Sequence, residues 1–387
     1  MKTIFTTSVA TIFCTIACSQ ITVNQSTATP GRYDLYELSI EHSQSAYTNV
    51  WEQVSVNVNF TGPTNVAYPI DGFYFNKDTW KVRFAPPEMG SWKWSMTFTT
   101  PESAYTSDGT FKCVTSTTKG FLKRNPTNSY RLVYADDSLF NGIGIGDCIM
   151  DWSGDGNPLN DWGLDGGFRV NGQAPKEWSV STSTYMNAYG KNGAGFNLFR
   201  WSVNNCAFNL YDTISTSGNK YAVQEGLYGD TLVYNLRQNG IRLWLTLFSW
   251  KTPFQNSSSL NSAEQAAVNN YIKYVVARYG AFVDIWELNN ETKINDQWID
   301  FTTTYLRSID PFHRLIAENW NAYLGDDIKY TNTYFNNWKS KENIDIGDFH
   351  WYERGSEFNT DLRTSQKIIA DKSGKKLVVY GPVQQSA

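Results

Sequence analysis

The residues best placed to do chemistry in this chain stand at the ends of short apolar runs. Arg200-Trp201 closes the run 196–201, Phe248-Ser249-Trp250 closes 241–248, and Asn289-Asn290-Glu291 follows 282–288. Glu318-Asn319-Trp320 follows 315–317, and Asp348-Phe349-His350-Trp351-Tyr352-Glu353 ends the run 344–349. Carboxylates and amides exchange hydrogen bonds with hydroxyls, and indole rings stack on apolar faces, so this set suits a neutral, polyhydroxylated ligand. Within it, Glu291 has a specific chemical meaning. A carboxylic acid just beyond a buried run can keep its proton, because burial and nearby negative charge raise its pKa. Cleaving a glycosidic bond needs such an acid beside the leaving oxygen and a second carboxylate near the anomeric carbon. The competing explanation for Glu291 is a glutamate that opens a helix and complements its dipole.

The elements that must position these residues come in two patterns. From Asp34 to about Val114 the period is two: Val54, Val56, Val58 and Phe60, then Trp80, Val82 and Phe84, then Trp92, Trp94, Met96 and Phe98 alternate with polar residues. Such strands, with Asp71-Gly72 read as a hairpin turn, predict a small β-sandwich over 30–118. After Lys119-Gly120 the apolar runs 143–145, 196–201, 241–248, 282–288, 315–317, 344–349 and 377–380 alternate with helical stretches. Ser262 is positioned to cap one helix, with Val268, Tyr271, Val275 and Tyr279 as its apolar stripe and Gly280 as its stop. A second helix is expected over 231–238, closed by Asn239-Gly240, and a third over 295–309, before Pro311. Repeated βα units imply parallel strands, and seven favour a (β/α)₈ barrel of the TIM type over 121–387, with its active site at the carboxyl ends of the strands. No glycine-rich phosphate loop opens a helix after a strand; Gly142, Gly144 and Gly146 are read as close strand packing.

Composition bounds the partners. The 387 residues carry a net charge of −4 and no basic run, which argues against nucleic acid. Met1-Lys2, a small apolar stretch and Ala17-Cys18-Ser19 predict a cleaved signal peptide over 1–19 and a secreted chain without a membrane span. Lipid anchoring through Cys18 is the lesser alternative, since Thr15 is a poor residue three places before such a cysteine. Three histidines and the scattered Cys113, Cys148 and Cys206 fit no metal spacing, so no metal or other cofactor is expected. Cys148 and Cys206 either pair or are, with Cys113, small buried residues. Asn24, Asn59, Asn256 and Asn290 begin glycosylation sequons. Aromatic residues make up 16% of the chain and include 15 tryptophans, a content suited to sugar stacking as well as to core packing.

Trp286-Glu287-Leu288-Asn289-Asn290-Glu291 resembles the fourth-strand signature of clan A glycoside hydrolases, the retaining barrels that include family 5. The resemblance implies a polysaccharide or oligosaccharide substrate, Glu291 as acid/base and Asn290 as the partner of the sugar 2-hydroxyl. Arg200 matches the clan's arginine after strand two, and His350 and Tyr352 resemble its positions after strand six. Trp250, Trp320 and Trp351 are expected to line the sugar cleft, and a monomer is expected. Trp80-Lys81-Val82-Arg83-Phe84-Ala85-Pro86 with Gly90-Ser91-Trp92-Lys93-Trp94 resembles the sandwich called domain of unknown function 5060, which precedes such barrels.

One position departs from the clan pattern. The seventh run ends Tyr380-Gly381-Pro382, where the clan carries its nucleophilic glutamate after glycine, and the sequence stops at Ala387, before an eighth strand. Three explanations fit: a barrel incomplete at its C-terminus, a catalytically inactive carbohydrate-binding relative, or a substitute carboxylate among Asp348, Glu353 and Glu357. The last must meet a separation of about 5–5.5 Å between carboxyls for retention or about 6.5–9.5 Å for inversion.

Overall fold

The computed structural model describes residues 21–43, 45, 47–146, 187–203, 210–215, 218–248, 261–290, 296–323, 341–354 and 377–386. The front part contains β1 (Thr22–Gln25), β2 (Tyr36–Glu41), β3 (Ser55–Thr61), β4 (Ala67–Asp71), β5 (Phe73–Asn76), β6 (Thr79–Phe84), β7 (Gly90–Thr99) and β8 (Ala104–Cys113). They form two four-stranded antiparallel sheets in the orders β1-β2-β6-β5 and β4-β3-β7-β8. The period-two residues do what alternation dictates. Val56, Val58 and Phe60 of one sheet and Trp80, Val82 and Phe84 of the other are buried in one core, with Trp92, Trp94, Met96 and Phe98. Phe60 stacks on Phe84 across that core at 4.4 Å between ring centroids.

Asp71-Gly72 is not a hairpin turn. β4 pairs with β3 and β5 pairs with β6, so the chain changes sheet at Gly72. A side chain there would meet Val56 Cβ at 2.7 Å and the Lys81 carbonyl at 3.0 Å. The glycine reports a close crossing between the sheets, which local turn chemistry cannot distinguish from a hairpin.

A small antiparallel sheet of β9 (Leu122–Arg124), β10 (Leu132–Tyr134) and β11 (Leu139–Phe140) leads into the second part. There β12 (Gly144–Gly146), β13 (Leu198–Ser202), the hairpin of β14 (Tyr211–Ser215) and β15 (Gly218–Tyr221), and α1 (Val223–Gln238) come first. β16 (Arg242–Phe248), α2 (Ser262–Tyr279), β17 (Val283–Asn289), α3 (Asp296–Ile309), β18 (Leu315–Tyr323), β19 (Ile346–Arg354) and β20 (Leu377–Ser386) follow. Each of the seven apolar runs supplies one strand of a single parallel sheet, in the order β12-β13-β16-β17-β18-β19-β20. β17 is buried along its whole length, as a strand covered on both faces must be.

The helices differ from expectation at their starts. α1 begins about two turns before residue 231. Its early part contains Gly226 and Gly229, which blur a helical pattern but permit close packing. A Cβ on Gly226 would lie 2.7 Å from the Arg278 guanidinium carbon, and one on Gly229 would lie 2.3 Å from the Tyr279 hydroxyl. α2 is capped by Asn261 rather than by Ser262. The Asn261 side chain accepts from the amides of Ala263 and Glu264, and Glu264 reaches back to the Asn261 amide, a complete capping box. Its stripe of Val268, Tyr271, Val275 and Tyr279 is buried, and Gly280 ends it in a helical rather than left-handed conformation.

The two parts meet through charge. Arg83 of β6 places Nη1 at 2.8 Å and Nη2 at 3.1 Å from the two oxygens of Asp230 in α1. Arg278 of α2 holds the same carboxylate at 3.1 and 2.9 Å. Arg83 also bonds Glu37, at 2.9 Å, and the Arg278 carbonyl. Burial raises the Asp230 carboxyl, but the charges of Arg83 and Arg278 outweigh it and hold the group below the usual carboxylate range. Phe312, after α3, extends the junction by packing on Tyr68, Phe84 and Phe121. No helix among the described residues is long and apolar enough to cross a membrane.

Candidate functional site at the strand ends

The parallel sheet changes character along its strands. Near their amino ends Trp244, Ile285, Leu315, Ala317 and Ile346 join Leu122 and Phe140 in an apolar cluster. Toward their carboxyl ends the buried residues become polar: Thr246, Glu287, Asn289, Glu318, Asn319 and Asp348. Burying that many amides and carboxylates is costly unless they bond one another or a ligand, and here they are extensively cross-linked.

Arg200 of β13 is the hub. Its Nε lies 2.8 Å and its Nη2 2.7 Å from Glu287 Oε2, and Nη2 donates at 2.7 Å to Asn290 Oδ1. Its Nε also lies 3.8 Å from Asp348 Oδ2. Thr246 of β16 donates its hydroxyl proton to the same Glu287 oxygen. Asn319 of β18 donates to Asp348 Oδ2 of β19 at 2.9 Å. Asn289 Nδ2 lies 3.4 and 3.5 Å from the two oxygens of Glu318. Five adjacent strands therefore contribute to one polar cluster. Burial drives the Glu318 carboxyl well above the usual carboxylate range; the Asn289 hydrogen bond opposes this by less, and the charge of Glu287 adds to the rise. Glu318 is thus the carboxyl of the cluster whose surroundings favour the neutral form.

The expected site residues distribute as follows. Arg200 and Asn290 are brought together, both half-buried, with the Asn290 amide N–H donating to the Phe248 carbonyl at 3.2 Å. Trp320 stands in β18 opposite Phe349, and His350, Trp351 and Tyr352 stand in β19 opposite Asn321, Ala322 and Tyr323. Glu353 is in β19 opposite Gln385 of β20. Glu291, Trp250, Glu357, Cys148, Cys206 and Asn256 lie outside the described residues, as does the segment 1–19. Cys113 is buried and unbridged. Pro382 falls where the β19–β20 register slips between the Phe349–Tyr380 and Trp351–Val383 pairs, the place a residue without an N–H can occupy in a ladder.

Thr246, Glu287 and the pairing of Asn289 with Glu318 had no assigned role in the sequence. The available signal was a charged residue, Glu287, inside a run that is otherwise apolar. A carboxylate there must be answered by a cation, and Arg200, one strand beyond the neighbouring β16, is that cation.

The chain was compared with known proteins. A family model described as a domain of unknown function, DUF5060, matches residues 29–99. A mannan endo-1,4-β-mannosidase A of Aspergillus aculeatus is 30% identical over 162 residues, which are 36% of this chain and 41% of that protein. The matched stretch thus spans about two fifths of that relative's length. A crystal structure from Bacteroides vulgatus, of a protein assigned to the glycoside hydrolases, covers 91% of this chain and 64% of its own, with a TM-score of 0.60 at 16% identity. The chain accordingly shares its fold with a protein assigned to the glycoside hydrolases and, over part of its length, a sequence relationship with fungal mannan endo-1,4-β-mannosidases.

Proposed function

We propose that this chain is a secreted glycoside hydrolase, a 30–118 sandwich joined to a 121–387 barrel of the (β/α)₈ type, that cleaves O-glycosidic bonds in a polysaccharide. β-1,4-Mannan is the first substrate to test, because the sequence relatives bear the name of that activity. The observation that carries the reading is the anchoring of Asn290 by Arg200, itself clamped by Glu287, directly before Glu291 in the chain. In this reading Glu291 protonates the leaving oxygen and later activates water, while Asn290 and Arg200 fix the sugar and the second carboxylate. His350, Tyr352, Trp250, Trp320 and Trp351 supply hydrogen bonds and stacking faces, and no cofactor takes part. Retention requires a nucleophilic carboxylate about 5–5.5 Å from Glu291. Gly381-Pro382 does not supply it; of the substitutes Asp348, Glu353 and Glu357, Asp348 has a carboxylate oxygen 3.8 Å from Arg200 Nε.

A second reading is a carbohydrate-binding protein without catalysis, favoured by Pro382 alone. Reducing-sugar release from soluble galactomannan and a wider glycan panel decides between them. Glycosidase function predicts a loss of about 10²–10⁴-fold in kcat for Glu291→Gln with binding retained. No hydrolysis by the folded parent, with glycan binding unaffected by Glu291→Gln, establishes the second reading instead.

A further inference from the structure

Asn289 is fully buried, and its Oδ1 accepts no hydrogen bond among the described residues. Its Nδ2 faces both oxygens of Glu318, at distances longer than the roughly 2.7–2.9 Å of a charge-assisted bond. An amide's oxygen and nitrogen are nearly identical in shape, so which one faces a neighbour is settled by the bonds available. With the amide turned over, Oδ1 meets the carboxyl, and the buried acceptor is satisfied if that carboxyl carries a proton. Charge in the cluster favours the proton. Glu287 and Asp348 are buried, and Arg200 is the cation that pairs with them among the described residues. Two carboxylates already face that one guanidinium, so a third ionised carboxylate would add to the negative charge buried there.

We propose that Glu318 donates a hydrogen bond from its carboxyl to Asn289 Oδ1, anchors the end of β17 to β18, and so acts as a positioning residue for the acid/base that follows Asn290. The role rests on the reading of Glu291 given above. Two consecutive amides are then held from different strands, Asn289 by Glu318 of β18 and Asn290 by Arg200 of β13. Neither side chain can turn without breaking a bond that is buried or partly buried. Glu318 touches neither substrate nor reacting atoms in this scheme.

The test uses the full chain with Glu318→Gln and Glu318→Ala, each checked for folding by circular dichroism. Glutamine reproduces a neutral acid, because its amide donates to Oδ1 where the acid's hydroxyl did. Glu318→Gln is expected to keep kcat/KM on galactomannan within about threefold of the parent, with an unchanged pH profile. Glu318→Ala is expected to lose about 10–100-fold, the effect of a small misplacement of a catalytic group.

A second readout does not depend on activity. Glu318 has a folded pKa above its unfolded one, so the parent loses stability as pH rises from the unfolded value toward the folded value. Glutamine does not titrate, so the Tm of Glu318→Gln relative to the parent is expected to climb as pH rises above the unfolded glutamate value of about 4.3. A carboxylic-acid carbonyl band in the infrared at neutral pH, lost in Glu318→Gln, is the direct signature. A thousandfold loss in Glu318→Gln would mean that Glu318 works as a charged group and would overturn the proposal. A Tm gap that is flat with pH, or no band, would overturn it too. A parent that cleaves nothing overturns the glycosidase reading and the positioning role together, while the band and the Tm gap still decide the Glu318–Asn289 pair.

Discussion

The substitution Asp230→Asn isolates the junction between the two parts of the chain. It keeps the side chain's shape and removes its charge from a carboxylate that both Arg83 and Arg278 grip with two nitrogens each. Those guanidinium groups are 1% and 0% exposed, so water cannot replace the lost anion. Arg83 retains Glu37 at 2.9 Å, whereas Arg278 keeps the neutral Tyr274 hydroxyl, at 2.9 Å. Removing one member of a buried ion pair typically costs about 3–5 kcal/mol, because the remaining charge stays buried. With an unfolding entropy of about 2.1 cal/mol/K per residue, that corresponds to a Tm lower by about 4–6 °C in a chain of this length. Calorimetry at pH 7, with limited proteolysis of the segment joining β8 to β9, is the assay. The front sheets are expected to lose protection before the parallel sheet, because the cluster is the buried ionic tie between them, the Lys273–Asp71 pair at 3.3 Å being partly exposed. The sign with pH follows from the depressed folded pKa of Asp230: its contribution is present above the unfolded value, near pH 3.9, and is lost as pH falls through the folded one. The Tm gap between parent and variant should therefore narrow in acid. A fall of less than about 1 °C at pH 7 would refute the assignment of the network as the tie, since it lies far below the cost of a stranded buried charge.

Asn261→Ala removes both cap bonds of α2 and is expected to cost about 1 kcal/mol in urea unfolding, while Ser262→Ala leaves stability nearly unchanged. Gly109→Ala places a Cβ 2.4 Å from the Trp94 ring, opposite it in the β7–β8 ladder. It is expected to cost about 1–3 kcal/mol and to alter the near-ultraviolet circular dichroism of the tryptophans, because Trp94 must leave its place in the core.

Period determined much of this protein from sequence alone. Alternating residues such as Val56, Val58 and Phe60 could bury one side only as strands, and seven separated apolar runs between helical stretches could be satisfied by parallel strands covered on both faces. The ends of β16 and β17, and with them the candidate Asn290, follow from that pattern, because those strands stop close to where their apolar runs stop, whereas β18, β19 and β20 run on past theirs to Tyr323, Arg354 and Ser386. Other features depend on residues far apart in the chain. Gly72 is a crossing between sheets only because Val56 and Lys81 lie against it. Arg83 could have been a surface strand residue until Asp230 and Arg278 closed around it, 147 and 195 residues away. The start of α1 was hidden because Gly226 and Gly229 answer to Arg278 and Tyr279 across the helix interface rather than to helix propensity. The pairing of Glu318 with Asn289 belongs to this second kind. A glutamate's protonation is set by its burial and by its neighbours' charges, and only the tertiary structure brings β17 and β18 together to supply both.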